Sequence, residues 1–328
     1  MITTIKSQVK FSYYLSIIRL DHSTKHIFII PGFVLAYLLR ANAIGLSPAT
    51  ILTIAPNVFF GLIAAVSIAS ANYCINEYLD RNFDRYHPEK SKRASVQHVL
   101  NGNVVLLMWT SLVAIGLSAA FQIGHSTLLI SFIFALQGII YNVPPIRSKE
   151  KPYLDVISES INNPLRLMIG WSMVDPTTLP PASIIISYWT GGGFLMAAKR
   201  LSEFRDISQS HGREILTNYR ASFAGYSETS LLLSCFIYAL LSIFFIAVFL
   251  IKYRVEYLLV MPLIIILFGH YLAISMQSGS TAQNPEKLFN ERGLMLIIIL
   301  STIIFVITTI IDIPILEKLS EQHFISFI

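Results

Sequence analysis

Nine stretches of this chain stay apolar for close to the length needed to cross about 30 Å of hydrocarbon, which sharply limits the available folds. They lie near residues 26–42, 54–75, 102–122, 125–142, 155–174, 181–198, 229–251, 256–275 and 294–313. Inside a bilayer the backbone has to satisfy its own hydrogen bonds, so runs of this length are helices rather than open strands. The expectation is an all-α integral membrane bundle of nine transmembrane helices. A hydrophobic share of 54% against 13% charged residues, with a mean hydropathy of +0.62, excludes an ordinary soluble protein. No low-complexity tract or long linker divides the chain, so residues 1–328 are expected to form one domain. Within it, residues 1–25 read as an interfacial N-terminal segment. There Phe11, Tyr13, Tyr14 and Leu15 mix with Lys10, Arg19 and Lys25, and the pattern is not that of a cleavable signal peptide.

Basic residues orient the bundle. With nine spans, 19 of the 24 lysines and arginines fall on the side shared by the N-terminus and the connections after spans 2, 4, 6 and 8. That side is expected to be cytoplasmic. The expected location is a cell membrane, the bacterial inner membrane, crossed many times. The net charge of +5 then reflects topology and phosphate affinity. No basic, aromatic-rich soluble module is present to bind nucleic acid. Cys74 and Cys235 both sit in apolar segments and read as buried small residues, with neither a disulfide nor a metal site indicated.

The chemistry concentrates where span 2 runs out. Asn76, Asp80 and Asp84 recur at i, i+4 and i+8, and each such step on a helix advances about 6 Å while drifting only about 40°. Three oxygen-bearing side chains therefore share one face, suited to Mg²⁺. Two aspartates this close repel one another at a membrane border, a cost that a bound cation removes. Charge runs at membrane ends often serve topology alone, but that reading does not account for an acidic face of this kind. A basic run follows at once: Arg85, His87, Lys90, Lys92 and Arg93. Carboxylates that hold a metal thus adjoin cations that hold phosphate.

Residues 80–101 and 199–228 are the two longest connections, and both are on the expected cytoplasmic side. The second opens Lys199-Arg200-Leu201-Ser202-Glu203, with Asp206 following. Two acidic clusters facing a common cavity, open to the cytoplasm, would suit a diphosphate bridged by Mg²⁺. In span 5, Asp155, Glu159, Asn162, Asn163 and Arg166 recur along one helical stripe, and Pro164 is expected to bend the helix. A cavity lining and an internal helix-locking ion pair both explain that stripe. Tyr141, Arg147, Lys149 and Lys151 lie around the Pro144-Pro145 stop. Gly191-Gly192-Gly193 in span 6 reads as a place of close helix packing.

These residues resemble the UbiA superfamily of intramembrane prenyltransferases, which have nine transmembrane helices and a first motif N-x-x-x-D-x-x-x-D. Asn76, Asp80 and Asp84 match it. The second motif departs from the usual pair of aspartates four residues apart, offering Lys199-Arg200-x-x-Glu203 instead. That and the basic continuation look more like the polyprenyl-phosphate phosphoribosyltransferase branch. Its extended motif, N-D-x-x-D-x-x-x-D-R-x-H-P-x-K-x-x-R-P, is matched at Asn76, Asp80, Asp84, Arg85, His87, Pro88, Lys90 and Arg93. Glu77 and Ala94 depart from it. Arg19, Lys25 and Pro285-Glu286 also fit the branch.

The resemblance implies an enzyme that uses Mg²⁺ and acts on a polyprenyl lipid with loss of diphosphate. In the closer branch, 5-phosphoribose passes from phosphoribosyl diphosphate to polyprenyl phosphate. The alternative is transfer of a polyprenyl group from its diphosphate to an aromatic or other small acceptor. Both reactions develop positive charge on carbon as a diphosphate leaves. Asp80, Asp84 and Glu203 would then be the catalytic acids, with Asn76, Asp80 and Asp84 holding the metal. Asn76, Arg85, His87, Lys90, Arg93, Tyr141, Arg147, Lys149, Arg166, Lys199 and Arg200 would bind substrate, the arginines in bidentate fashion. A third reading, a transporter coupled through Asp155, Glu159 and Arg166, leaves the Asp face beside the basic run without a purpose.

Overall fold

The structure is a computed structural model that describes residues 10–41, 43–47, 51–283 and 285–320. The start of the expected interfacial segment, Lys6 included, lies outside the described residues, as do the side chains of Pro285 and Glu286. Among the described residues all regular structure is helical. The α-helices are α1 (Phe11–Ser16), α2 (Ile30–Arg40), α3 (Ala55–Asp84), α4 (Ala94–Gln97), α5 (Gly102–Ile123), α6 (His125–Asn142) and α7 (Leu154–Ser160). They continue as α8 (Asn162–Ser172), α9 (Ala182–Ser210), α10 (Arg213–Tyr219), α11 (Glu228–Tyr253), α12 (Met261–Ser275), α13 (Arg292–Ile310) and α14 (Pro314–Ser320).

Among the described residues, six helical segments are long and apolar enough to cross a membrane: Ile51–Asp84, Gly102–Ile123, His125–Asn142, Glu228–Tyr253, Val255–Ser275 and Arg292–Ile310. They correspond to six of the nine expected spans. The other three are helical but less regular. Residues 26–42 divide between a 3₁₀ stretch, Leu20–Ile29, and α2. Residues 181–198 become the first part of α9, whose polar second half runs to Ser210. Residues 155–174 break at Ile161 into α7 and α8. Pro164 explains that break: it offers no amide hydrogen and its ring crowds the carbonyl four residues back, at Ser160, where α7 ends. The expected single polar stripe in span 5 is therefore not continuous. Asp155 and Glu159 belong to one helix, and Asn162, Asn163 and Arg166 to the next.

The chain forms two compact units, residues 1–180 with 204–230, and residues 181–203 with 231–328. In the first, α3 is the central element. At about 1.5 Å per residue its 30 residues reach about 45 Å, so roughly its last ten extend past a hydrocarbon layer. Small residues let neighbours close on it. A Cβ on Gly116 of α5 would fall 2.6 Å from Ile68, and one on Gly138 of α6 would fall 1.9 Å from the Asn72 amide oxygen. The α2–α8 contact is as tight, since a Cβ on Gly32 would meet the Leu167 carbonyl at 1.9 Å. Ile68, Ala65, Phe134, Ile169 and Met173 fill the space between α3, α6 and α8. Asn101 caps α5 by accepting from the Asn103 amide at 2.9 Å.

In the second unit, Ser187 Oγ of α9 donates to the Ser242 carbonyl of α11 at 3.0 Å, and the reciprocal bond from Ser242 is also 3.0 Å. Gly193 lies where a Cβ would meet the Tyr238 ring at 2.8 Å, the close packing its glycine run predicts. Phe194 packs edge-on against Phe268 at 4.7 Å between centroids. Cys74 and Cys235 are buried free thiols, one in each unit.

Candidate active site

The protruding end of α3 carries the acidic face, and α6 with the connection after it supplies the cations. Asp80 Oδ1 accepts from Arg147 Nη2 at 3.0 Å and from Lys149 Nζ at 2.5 Å. Lys149 also donates to Asn142 Oδ1 at 2.8 Å, and Asn76 donates to that same oxygen at 2.5 Å. Asn76 and Asp80 are thereby joined through Asn142 and Lys149. One turn on, Asp84 Oδ2 accepts from Arg93 Nη1 at 2.6 Å. The mutual repulsion of the two aspartates is thus relieved by cations from separate segments. Asp80, Asp84, Phe83, Arg147, Lys149, Glu150, Tyr219 and Arg220 together line a small pocket.

Arg147 occupies a left-handed backbone conformation, φ 34° and ψ 58°. A non-glycine residue there costs of order 1–3 kcal/mol and persists only where surrounding structure imposes it. Here Nη1 donates to the Asn142 carbonyl at 3.0 Å, Nε pairs with Glu150, and the guanidinium lies 4.9 Å from the Phe83 ring. The strain aims a fixed charge at the pocket. Lys149 is 3% exposed, and its burial, reinforced by the positive charge of Arg147, pulls its pKa down to about 8 against the opposing pull of Asp80. Burial also pulls at Arg93, but the carboxylates of Asp84 and Glu77 outweigh it and hold its pKa above the ordinary value.

The remaining expected residues separate into groups. Lys90 pairs with the Tyr219 hydroxyl and lies 4.4 Å from that ring, while His87 meets the same ring edge-on at 4.6 Å. His87 Nδ1 accepts from the amides of Glu89 at 3.1 Å and Lys90 at 3.3 Å. Those two bonds tie the ring to the backbone of the loop that follows α3. Arg85 is on the exposed side and donates to Asn82 at 2.8 Å. Tyr141 donates to Glu159 at 2.6 Å. Arg166 lies 5.0 Å from the Phe134 ring, among the packed helices rather than in the pocket lining. In the second unit Arg200 Nη1 meets Glu203 Oε2 at 2.9 Å, one turn apart on α9, and both residues are 1% exposed. Lys199 precedes them on the same helix and is half-buried.

Glu77, at the position where the extended motif has aspartate, is 3% exposed. It accepts from Ser95 at 3.3 Å and meets Arg19 at 3.5 Å, so it ties the N-terminal segment and α4 to α3. Phe83, Asn142, Glu150, Tyr219 and Arg220 belong to the site without being expected there. Asn142, Tyr219 and Arg220 reach the network through folding, and only their nearness to Tyr141 and to the 199–228 connection hinted at them.

The donor set suits Mg²⁺ without forming a cage. Among the described residues no group of three or more histidine, cysteine or acidic side chains could hold a metal. Two aspartates on one helix face, with the oxygen of Asn76 not used in its bond to Asn142, offer hard ligands. Mg²⁺ is typically held by one or two carboxylates plus substrate phosphates, so the residues fit an ion shared with a bound phosphate.

The chain is similar to several known proteins. A profile of the UbiA prenyltransferase family matches residues 29–300. The protoheme IX farnesyltransferase of Bacillus mycoides (strain KBAB4) is 25% identical over 154 residues, 45% of this chain and 50% of that protein. That of Geobacillus kaustophilus (strain HTA426) is 28% identical over 153 residues, 45% of this chain and 48% of that protein. The chain thus spans about half the length of these relatives. A UbiA homologue from Archaeoglobus fulgidus, solved bound to GPP and Mg²⁺, superposes with a TM-score of 0.65 at 20% identity, over 90% of this chain and 98% of that one. A digeranylgeranylglyceryl phosphate synthase structure gives 0.60 at 15% identity, over 91% and 98%.

Proposed function

From the premise that this chain belongs to the UbiA prenyltransferase family, we propose that it is a Mg²⁺-dependent membrane transferase acting on a polyprenyl lipid with loss of diphosphate. The observation that carries this reading is the lining of one pocket by Asp80 and Asp84 together with Arg147, Lys149 and Arg220. A phosphate entering there meets cations already in place, and the carboxylates they neutralise become available to a metal. Mg²⁺ would be held by Asp80 and Asp84, with Asn76 completing the set, and would neutralise charge on the departing diphosphate. Arg147 and Lys149 hold phosphate oxygens at the pocket wall, and Arg93 fixes Asp84. Glu203 enters as the acidic residue of a second motif. The whole chain works as one catalytic domain in a cell membrane, the bacterial inner membrane, with its N-terminus and its basic connections cytoplasmic.

Two donors suit the pocket. A prenyl diphosphate is favoured by the farnesyltransferase relatives, which match about half their length. Phosphoribosyl diphosphate, with polyprenyl phosphate as acceptor, is favoured by the density of cations at the site and by the basic continuation through Arg93. Purified protein in lipid nanodiscs with Mg²⁺ separates them. Label from phosphoribosyl diphosphate entering the lipid fraction supports the phosphosugar donor. Alkylation of a small acceptor by labelled prenyl diphosphate, with no sugar label in lipid, supports the prenyl donor. Neither product, across both donor classes, defeats the transferase reading.

A further inference from the structure

Arg220 is a pocket cation that no motif identifies. It ends α10 with an extended backbone, φ −150° and ψ 117°, and the chain then turns through the short 3₁₀ stretch Ala221–Gly225. That turn returns the chain toward α7. Arg220 Nη1 lies 3.5 Å from Asp155 Oδ2 and 3.4 Å from the Tyr141 hydroxyl. Both contacts use one guanidinium nitrogen, while the side chain lines the pocket beside Asp80, Asp84, Arg147 and Lys149.

Asp155 is wholly buried, and its oxygens are held by more than the arginine. Tyr226 donates to Oδ1 at 2.6 Å and Ser222 donates to Oδ2 at 3.1 Å. The Tyr226 hydroxyl in turn accepts from the Tyr153 amide at 2.6 Å, and Tyr153 has φ 66°, a left-handed value. The hydroxyls of Tyr226 and Ser222 hold the carboxylate at 2.6 and 3.1 Å, and the 3.5 Å contact to Arg220 is longer than either, so of these three it yields most readily to a ligand. The network therefore fixes the carboxylate first and the guanidinium second.

We propose that Arg220 is a diphosphate ligand delivered to the pocket by the 211–227 connection, and that Asp155, with Tyr226 and Ser222, is the positioning residue that aims it. This rests on reading the pocket as a diphosphate site. An arginine fork matches two phosphate oxygens at once, which a lysine cannot do.

The test uses full-length protein in nanodiscs with Mg²⁺ and measures inorganic pyrophosphate binding by calorimetry, with KM and kcat of the transfer alongside. Arg220→Ala should weaken pyrophosphate about tenfold, and Arg220→Lys should recover only part of that. Tyr226→Phe, a mild change that keeps the ring, should weaken it about threefold when Arg220 is present and not at all in the Arg220→Ala background. Equal pyrophosphate affinity in wild type and Arg220→Ala overturns the ligand role. An equal loss from Tyr226→Phe in both backgrounds overturns the positioning role. Absence of pyrophosphate binding by the wild-type protein would instead remove the diphosphate reading, and this inference with it.

Discussion

Asp80 and Glu203 both pair with arginine, in different ways. In the first unit Asp80 meets Arg147 from 67 residues further along, with Lys149 joining from the same connection. In the second, Glu203 meets Arg200 from one turn earlier on α9. The Glu203 pair can form as soon as its helix does, and both partners end up buried and matched to each other. The Asp80 group exists only once α3, α6 and the connection after α6 have packed, and it lines a pocket. A local pair can stabilise a helix with no ligand present. A non-local group around a pocket places its cations where an entering phosphate can meet them.

The largest test of that contrast is removal of the acid in the pocket. Asp80→Asn and Asp84→Asn should each lower kcat by at least about a hundredfold, measured by label transfer in nanodiscs. Retained turnover in both would break the assignment of the pocket as the reacting site. Next is the local pair. Glu203→Gln leaves Arg200 buried beside a neutral partner and should lose about 3 kcal/mol of stability, read as a lower thermal midpoint. Replacing both residues by Arg200→Met and Glu203→Leu should return most of that midpoint. If turnover returns as well, Glu203 is structural; if the midpoint returns and turnover does not, its catalytic role stands.

The smallest effect expected is with pH. Lys149, with its pKa near 8, is charged below that value and loses its proton above it. Pyrophosphate affinity should therefore fall a few-fold between about pH 7 and pH 9.5, whereas an undisplaced lysine would hold its charge to about pH 10.4. A bound anion favours the charged form, so binding above pH 8 should take up a proton, seen as buffer-dependent heat. Lys149→Arg should flatten both profiles. A wild-type profile already flat to pH 10 would show that burial does not depress this group.

Much of this was legible in the chain. Apolar runs with no polar break gave six helices in their expected places, because lipid leaves such runs no other way to satisfy their backbone. The Asn76, Asp80 and Asp84 face was legible because helical period alone aligns it. In span 5 Pro164 is legible as a bend, and the structure breaks there, but the single polar stripe expected through it divides between α7 and α8. Asp155 faces Tyr226 and Ser222, while Arg166 lies against Phe134. Arg166 and Arg85 were drawn toward the site by charge, which the sequence displays without showing where each side chain is held.

What the sequence determined by itself is the membrane-helical class, the acidic face on α3 and the abundance of cations near it, since each follows from composition or from a period within one segment. Which cation meets which carboxylate was decided only by tertiary structure. Arg147 reaches Asp80 through a left-handed backbone, Arg93 reaches Asp84 across a turn of the following loop, and Arg220 arrives on a distant connection held by Asp155. Charges act over a few ångströms in space, and only packing converts separation along a chain into that distance.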